Sequence, residues 1–139
     1  MTKQTLLKIK PDAYQAGYTG AIIAHLEKNG FRVRALKLVK LTRKQAEQFY
    51  AVHQKRPFFP DLIEFITSGP VLPMVVEIDG DAVKQAREVI GATDPAEAAE
   101  NTVRKLFGTN KEKNAIHGSD SDDNAAQEIA FYFAQREIV

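Results

Sequence analysis

One histidine of this sequence lies where a nucleophile would be well presented. His117 belongs to segment 114–121, with the sequence Asn-Ala-Ile-His-Gly-Ser-Asp-Ser, just ahead of a predicted helix. A neutral imidazole is a nucleophile near pH 7, so a fixed histidine beside a glycine and hydroxyls can take up an electrophilic group covalently. The same residues also fit a simple turn with His117 on the surface. The eight residues alone leave both interpretations open.

Several cationic side chains accompany glycine, proline and threonine loops, namely Lys10, Arg56, Arg87 and Arg104. Phosphoryl transfer requires an in-line nucleophile and positive charge around three equatorial oxygens. Arginine suits this task because its planar fork binds two oxygens at once and stays charged. Each of these residues taken alone is more often a solvated surface charge. Only their shared pattern with His117 favours chemistry.

The composition limits the classes of protein to which the chain can belong. It has 139 residues, with 19 basic and 18 acidic side chains, a formal net charge of +1 and no cysteine. This length predicts one domain, residues 1–139, whose core needs no disulfide or structural metal. The small net charge argues against a nucleic-acid or membrane-surface partner, and the missing cysteine excludes a thiolate nucleophile. Because no apolar run would suit a signal peptide or a membrane span, we expect a cytoplasmic protein.

Apolar periodicity and turn residues predict alternating strands and helices. The predicted strands cover residues 5–10, 31–40 and 71–78, with 111–117 as a candidate fourth strand. The predicted helices cover residues 20–29, 43–52, 61–67 and 102–107, with another that ends at residue 90 and a last one capped by Ser121, on which Ile129 and Phe133 face inward. This order predicts an α+β fold with helices against a mainly antiparallel sheet.

The first and second predicted strands carry informative patterns. In the first, Leu7 and Ile9 share one face, whereas Lys8 and Lys10 lie on the other. In strand 31–40, the apolar residues change phase from odd to even positions after residue 35. Such a change predicts a β-bulge, or burial of both faces by the core and by a partner chain.

An ordered set of motifs identifies a family resemblance. The set comprises Lys10-Pro11-Asp12, Tyr50 with His53, Arg56-Pro57-Phe58-Phe59, Ser68-Gly69-Pro70, Arg87, Gly91-Ala92-Thr93-Asp94-Pro95 and Thr102-Val103-Arg104. Followed by the highly specific Asn-x-x-His-Gly-Ser-Asp-Ser motif, it resembles the nucleoside diphosphate kinase family from about residue 6 to residue 133,. The resemblance implies a ferredoxin-like βαββαβ sandwich, in which helices cover a four-stranded, mainly antiparallel sheet.

The resemblance also implies the reaction. The γ-phosphate of a nucleoside triphosphate, typically ATP, would pass to a nucleoside diphosphate by a ping-pong mechanism through a phosphohistidine at His117. This activity maintains cellular NTP and dNTP pools. The three histidines of the chain show no metal-ligand spacing,. Mg²⁺ is therefore expected to arrive with the nucleotide, bridging its phosphates, with no direct protein ligand.

The phosphate chain has its own set of expected contacts. By the resemblance, Arg87 and Thr93 would hold the distal phosphates, and Arg104 and Tyr50 would hold the transferring group. His53 would meet the phosphate nearest the sugar.

The nucleoside has a second expected set. Lys10 and Asn114 would meet the ribose hydroxyls, with Lys10 also near the γ-phosphate, while the base would stack on Phe58 beside Leu62,. Lys111 departs from the family pattern, because many relatives have an apolar residue there against the other face of the base. Its methylene stem could still cover the ring.

His117 also needs a group that holds its second nitrogen. Glu128, eleven positions later in the final helix, matches the family's carboxylate, and Ser119 is the nearby hydroxyl,. Helical periodicity alone leaves a solvated Glu128 equally acceptable. His25 has no matching role and is interpreted as structural or interfacial, and Phe59 as a core residue.

Two further departures from the family pattern concern rate and packing. Asn101 stands where relatives often have glycine, and Lys105 and Leu106 stand where a small residue and an acidic or polar one are common. None of these removes a charged or nucleophilic residue of the expected site.

The family resemblance implies an oligomer built from dimers, either a tetramer or a hexamer. Strand 31–40 and helix 21–29 would form the dimer contact, which would cover an otherwise open strand edge,. Two other classes compete with the enzyme: a nucleic-acid-binding module that stacks bases on its sheet, and a non-catalytic scaffold with a relic site. The near-zero charge and the lack of alternating aromatics on a strand count against the first.

Overall fold

A computed structural model describes residues 2–139, with a four-stranded antiparallel sheet at its centre. The strands are β1 (Gln4–Ile9), β2 (Arg32–Leu36), β3 (Leu72–Glu77) and β4 (Ile116–Gly118). Their order in the sheet is β2-β3-β1-β4. The α-helices are α1 (Pro11–Gln15), α2 (Thr19–Lys28), α3 (Arg43–Phe49), α4 (Phe59–Ile66), α5 (Ala82–Ile90), α6 (Val103–Phe107) and α7 (Asp122–Tyr132). Short 3-10 turns cover Ala51–His53 and Gln135–Glu137. The predicted α+β, ferredoxin-like fold is confirmed.

Helices cover both faces of the sheet. On one face Leu7 and Ile9 pack with Leu26 of α2 and Ile90 of α5. On the other face lies a second cluster that includes Leu6 and residues of α3, α4 and α7. A face that is already packed offers no platform on which bases could stack, so the arrangement of residues 2–139 disfavours the sheet-based nucleic-acid module.

The two faces of β1 carry the predicted residues, but both faces are buried. Lys8 lies opposite Leu7, as predicted, but α3 and α7 cover that side. Its side chain is therefore 0% exposed. A single alternating strand cannot disclose burial on both faces, because that depends on helices far away in the sequence.

The second strand has the predicted irregularity but is shorter than predicted. The register shifts between Val33 and Ala35, which confirms the bulge. Regular pairing ends at Leu36, and only one bridge, between Val39 and Val71, continues towards residue 40. The strand lies at the edge of the described sheet.

The predicted strand 111–117 is wrong over most of its length. Only Ile116–Gly118 pairs with β1. The side-chain oxygen of Asn110 accepts hydrogen bonds from the backbone N–H groups of Glu112 (3.0 Å) and Lys113 (2.8 Å). Such a turn centred on an asparagine competes with extended backbone, so this segment is a loop.

Two helices also differ from the predictions. Ser121 caps α7 as expected, accepting from the backbone N–H of Asn124 at 3.1 Å, but the helix ends at Tyr132. Phe133 is buried in an extended conformation beyond the helix, and Ile129 is half-buried. The short helix α1 was not predicted, since Pro11 ends the strand and also occupies a first-turn position where proline is tolerated,. Within residues 2–139, no helix has the length and apolarity to cross a membrane.

Candidate active site

A cavity of about 470 Å³ opens where the end of β1, strand β4 and the helix α4 region meet. Every residue to which the sequence gave a contact or a catalytic role lines it except Ser119: Lys10, Tyr50, His53, Phe58, Leu62, Arg87, Thr93, Arg104, Lys111, Asn114, His117 and Glu128. Arg56, also noted as a candidate cation, does not line it. The other lining residues are Phe49, Val52, Ile116, Gly118, Asp120 and Asn124, of which sequence reasoning missed Phe49, Val52 and Asn124. The fold therefore brings residues that are more than a hundred positions apart in the sequence into one cavity.

His117 is held through one ring nitrogen. Its Nε2 lies 2.7 Å from Oε1 of Glu128, and the Ser119 hydroxyl donates to the same oxygen at 2.7 Å. Ser119 is buried behind the cavity wall, which explains why it does not line the cavity. With Nε2–H donating to the carboxylate, Nδ1 carries the free lone pair.

The charges of this pair suit a nucleophile. Burial lowers the pKa of His117, and the hydrogen bond to Glu128 only partly reverses that effect. For Glu128, burial raises the pKa, but the hydrogen bonds from His117 and Ser119 outweigh it, so the pKa lies below its usual value. At neutral pH the site therefore contains a neutral imidazole and an ionised carboxylate.

A strained turn precedes the histidine. Ala115 has φ = +77°, and the N–H of Ile116 donates to the carbonyl of Asn114 at 3.0 Å, which closes a γ-turn around Ala115,. The carboxylate of Asp12 accepts from the N–H of Ala115 at 3.0 Å and supports the turn. Strained backbone of this kind persists where the surroundings over-determine it, often at functional sites. The sequence did not assign Asp12 this role.

Arg104 is buried at the cavity wall. Its two terminal nitrogens donate to the carbonyls of Gly91 and Ile116, each at 2.9 Å. Burial, followed by the charge of Arg87, lowers the pKa of Arg104 to about 10, so the group stays charged at neutral pH,. Arg87 itself donates to the carbonyl of Gly118 at 3.3 Å. The two guanidinium groups make this wall an attractive place for an anion.

Lys10 supplies a third cation beside the loop that follows α6. Its Nζ donates to the carbonyl of Glu112 at 2.8 Å and to the side-chain oxygen of Asn114 at 2.9 Å. Burial lowers the pKa of Lys10 to about 8, with Asp12 raising it and Arg104 lowering it. The Asn114 amide in turn donates to the Thr93 carbonyl at 3.0 Å.

The outer end of the cavity is more apolar. Phe58 is 49% exposed, and its ring centroid lies 5.6 Å from that of His53. Leu62 and Lys111 line the same cavity. An exposed aromatic ring at the mouth of a charged cavity is suited to stacking on a flat heterocycle.

Two residues with positive φ angles lie in the segment between α5 and α6, the helix that carries Arg104. Gly91 has φ = +92°, and a Cβ atom there would lie 2.6 Å from Oγ1 of Thr102. Asn101, noted above as a departure, has φ = +67°. Glycine adopts this conformation without cost and asparagine tolerates it better than most residues, which explains why both occur at such a position.

Comparisons with known proteins agree on one family. The chain matches the family model described as nucleoside diphosphate kinase over residues 3–138. Nucleoside diphosphate kinases of Azorhizobium caulinodans and Persephonella marina are 56% and 51% identical to it over 137 residues, which are 99% of this chain and 97% of each relative.

Solved structures give the same result. The nucleoside diphosphate kinase of Aquifex aeolicus superposes with a TM-score of 0.95 at 48% identity and covers 99% of both chains. A halophilic nucleoside diphosphate kinase of Halobacterium salinarum, solved in complex with CDP, superposes with a TM-score of 0.93 at 40% identity, over 100% of this chain and 92% of that one. This chain belongs to the nucleoside diphosphate kinase family.

Proposed function

We propose that this phosphotransferase moves the γ-phosphate of a nucleoside triphosphate to a nucleoside diphosphate through a phosphorylated His117. The observation that carries the proposal is a neutral imidazole, held at Nε2 by Glu128, that lines a cavity shared with Lys10, Arg87 and Arg104. A nucleophile with nearby positive charge is the minimum that phosphoryl transfer requires.

The reaction follows from the arrangement of the donor and acceptor atoms. Nδ1 of His117 attacks the γ-phosphorus, a new N–P bond forms, and the bond to the bridging oxygen of the nucleoside diphosphate breaks. The leaving diphosphate keeps the electron pair of that bond. As the ring gains positive character, the ionised Glu128 offsets it,. A second nucleoside diphosphate then reverses these steps and takes the phosphoryl group.

The nucleotide has a proposed orientation in the cavity. Arg87 and Thr93 bind the distal phosphates, and Arg104 and Tyr50 bind the transferring group, next to His117. His53 contacts the phosphate nearest the sugar.

The nucleoside would lie towards the cavity mouth. Lys10 and Asn114 hydrogen-bond the ribose hydroxyls, and the base stacks on Phe58 beside Leu62, with Lys111 opposite. Stacking suits every base, which predicts broad nucleotide specificity. The Halobacterium salinarum relative in complex with CDP supports nucleotide binding by this fold.

Mg²⁺ is proposed to enter as part of the substrate. In residues 2–139, no three histidine, cysteine or acidic side chains cluster so that they could hold a metal ion. The cavity cations complement phosphate oxygens, and the phosphates themselves are hard oxygen ligands for the ion. The cytoplasmic location stays a prediction of the sequence.

A homo-oligomer, a tetramer or hexamer built from dimers, is the proposed assembly. Its support is the edge strand β2, near which Leu36 and Leu38 are 47% and 53% exposed. Pairing this edge across a two-fold axis, together with α2, would cover both leucines.

One labelling experiment tests the proposed reaction. The protein is mixed with γ-labelled ATP and Mg²⁺, and acid-labile, base-stable phosphate on the protein is measured, followed by its release to a nucleoside diphosphate. His117→Ala should abolish labelling but keep measurable nucleotide binding, while His25→Gln, a change outside the cavity lining, should label normally. Normal transfer by His117→Ala would refute the assignment.

A further inference from the structure

The largest fully buried side chain of the described residues belongs to a lysine. Lys8 of β1 is 0% exposed, and its cross-strand partner in β4 is His117. A lysine with no exposed surface is unusual, because removing an ammonium group from water is costly unless other groups compensate. A methionine would fill similar space without that cost.

The compensating groups belong to three aromatic residues, two tyrosines and one phenylalanine. Nζ of Lys8 donates to Oη of Tyr50 at 2.8 Å and to Oη of Tyr132 at 3.3 Å. It also lies 3.8 Å from the ring centroid of Phe49 and 4.7 Å from that of Tyr50. The amine thus has two oxygen acceptors and the negative face of an aromatic ring, an enclosure suited to a cation.

Two charged groups act on this enclosure from outside it. Burial lowers the pKa of Lys8 well below its usual value, with Glu128 of α7 raising it and Lys10, the residue after β1, lowering it. Burial raises the pKa of Tyr50 well above its usual value, so the phenol keeps its proton. The amine carries N–H groups in either ionic form, so its donation to Tyr50 does not depend on its charge.

The hydrogen bond from Lys8 restricts the direction of the Tyr50 O–H group. Tyr50 lines the catalytic cavity, and its ring centroid lies 6.5 Å from that of His117. When Lys8 donates to the phenol oxygen, one oxygen lone pair is used, and the O–H proton points elsewhere. Chains of hydrogen bonds in a buried site also polarise one another, which makes the phenol a stronger donor.

We propose that Lys8 is a positioning residue for phosphoryl transfer: from behind the cavity wall, its amine fixes the Tyr50 hydroxyl as a donor towards the transferring phosphoryl group. The proposal rests on the proposed function, in which Tyr50 contacts that group. Lys8 touches neither nucleotide nor reacting atoms, and acts only through Tyr50.

A double-mutant cycle tests this route. The rate of His117 phosphorylation by saturating labelled ATP is measured in single turnover for the wild type, Lys8→Met, Tyr50→Phe and the double variant, together with the Kd for ADP. Lys8→Met should lower the rate by about tenfold, with little change in Kd, because one oriented hydrogen bond to the transition state is weakened. In the Tyr50→Phe background the same change should have almost no effect.

Tyr132→Phe is the matched control, since it removes the longer hydrogen bond of Lys8 and leaves the bond to Tyr50 in place. It should phosphorylate at nearly the wild-type rate. Equal losses from Lys8→Met in both backgrounds would overturn the proposal, as would a Tyr132→Phe variant as slow as Lys8→Met.

A second measurement covers the case in which Lys8→Met does not fold. In protein labelled with ¹⁵N at the lysine side chains, the Nζ resonance of Lys8 should shift strongly in Tyr50→Phe, and an unchanged resonance would overturn the proposal. Absence of phospho-His117 in the wild type would instead refute the proposed function, and the resonance would still report the Lys8–Tyr50 bond.

Discussion

At the residue scale, the two ring nitrogens of His117 have different roles. Glu128 binds Nε2 at 2.7 Å, which leaves Nδ1 as the proposed nucleophile. The sequence could identify both residues only through the family pattern, because helical periodicity does not show whether Glu128 of α7 faces His117 of β4 or the solvent. Lys8 gave no such signal beyond a lysine between apolar strand residues, and its burial depends on α3 and α7.

Glu128→Gln should slow His117 phosphorylation by about a hundredfold, since the amide keeps the shape but removes the charge that offsets the developing imidazolium. The carboxylate raises the pKa of His117 against burial, which lowers it. Activity requires the neutral imidazole and is lost as the pH falls through this pKa. Removing the carboxylate should therefore move the acid limb of the pH–rate profile to lower pH.

Single-turnover rates across the acid range measure both effects, with Ser119→Ala as the control that keeps the carboxylate. An acid limb that stays in place or moves upward would contradict the account.

Arg104→Lys should lower turnover by at least about a hundredfold although the charge is kept, because lysine cannot donate to Gly91 and Ile116 and still present a planar fork to phosphate,. Steady-state kcat measures this loss. Arg136→Lys, an exposed arginine in the last 3-10 turn, should retain wild-type turnover. Equal activity of both variants would show that the bidentate geometry is unimportant.

At the element scale, strands and helices with clear periodicity were predictable, and the loops that shape the site were not. The bulge in β2 followed from the phase change after residue 35. The conformation of the segment before β4 could not be predicted from the sequence. The turn at Asn110 and the γ-turn at Ala115 depend on local hydrogen bonds, which the pattern of apolar residues does not record,. Asp12, which supports that γ-turn, lies about a hundred residues away in the sequence.

Gly91→Ala tests whether the loop between α5 and α6, the helix that carries Arg104, needs glycine at its first position. With φ = +92° and a new Cβ atom 2.6 Å from Thr102 Oγ1, the variant should lose about 2 kcal/mol or more of unfolding free energy,. Gly20→Ala is the matched control, because nothing lies within 4 Å of its Cβ position and it belongs to α2. Urea unfolding compares the two. Similar stability of both variants would show that the loop has no need of glycine.

At the scale of the whole molecule, the sheet edge at β2 and the cavity are separate features. None of the residues that line the cavity belongs to β2 or to α2. The edge at β2, where Leu36 and Leu38 are exposed, is where the proposed dimer would form. The order of the predicted strands and helices was enough to predict the α+β fold, but assembly rests on the family resemblance and the exposed edge.

Leu38→Asp should dissociate or unfold the proposed dimer, because a carboxylate in an apolar contact loses its hydration without a partner. Light scattering after size exclusion measures the mass of the particle, and circular dichroism checks the fold. Val52→Asp, at an exposed apolar residue that belongs to neither β2 nor α2, should keep the wild-type mass. A Leu38→Asp variant that stays folded, oligomeric and active would show that the interface lies elsewhere.

The central claim, that His117 takes up phosphate at Nδ1 while Glu128 holds Nε2, is tested most directly by locating the phosphate in the intermediate. Protein labelled with ¹⁵N-histidine is phosphorylated with ATP and Mg²⁺, and nitrogen–phosphorus couplings are measured by NMR under basic conditions. We expect one phosphohistidine, at His117, with phosphorus bonded to Nδ1. Phosphorus on Nε2, on another residue or on none would contradict it.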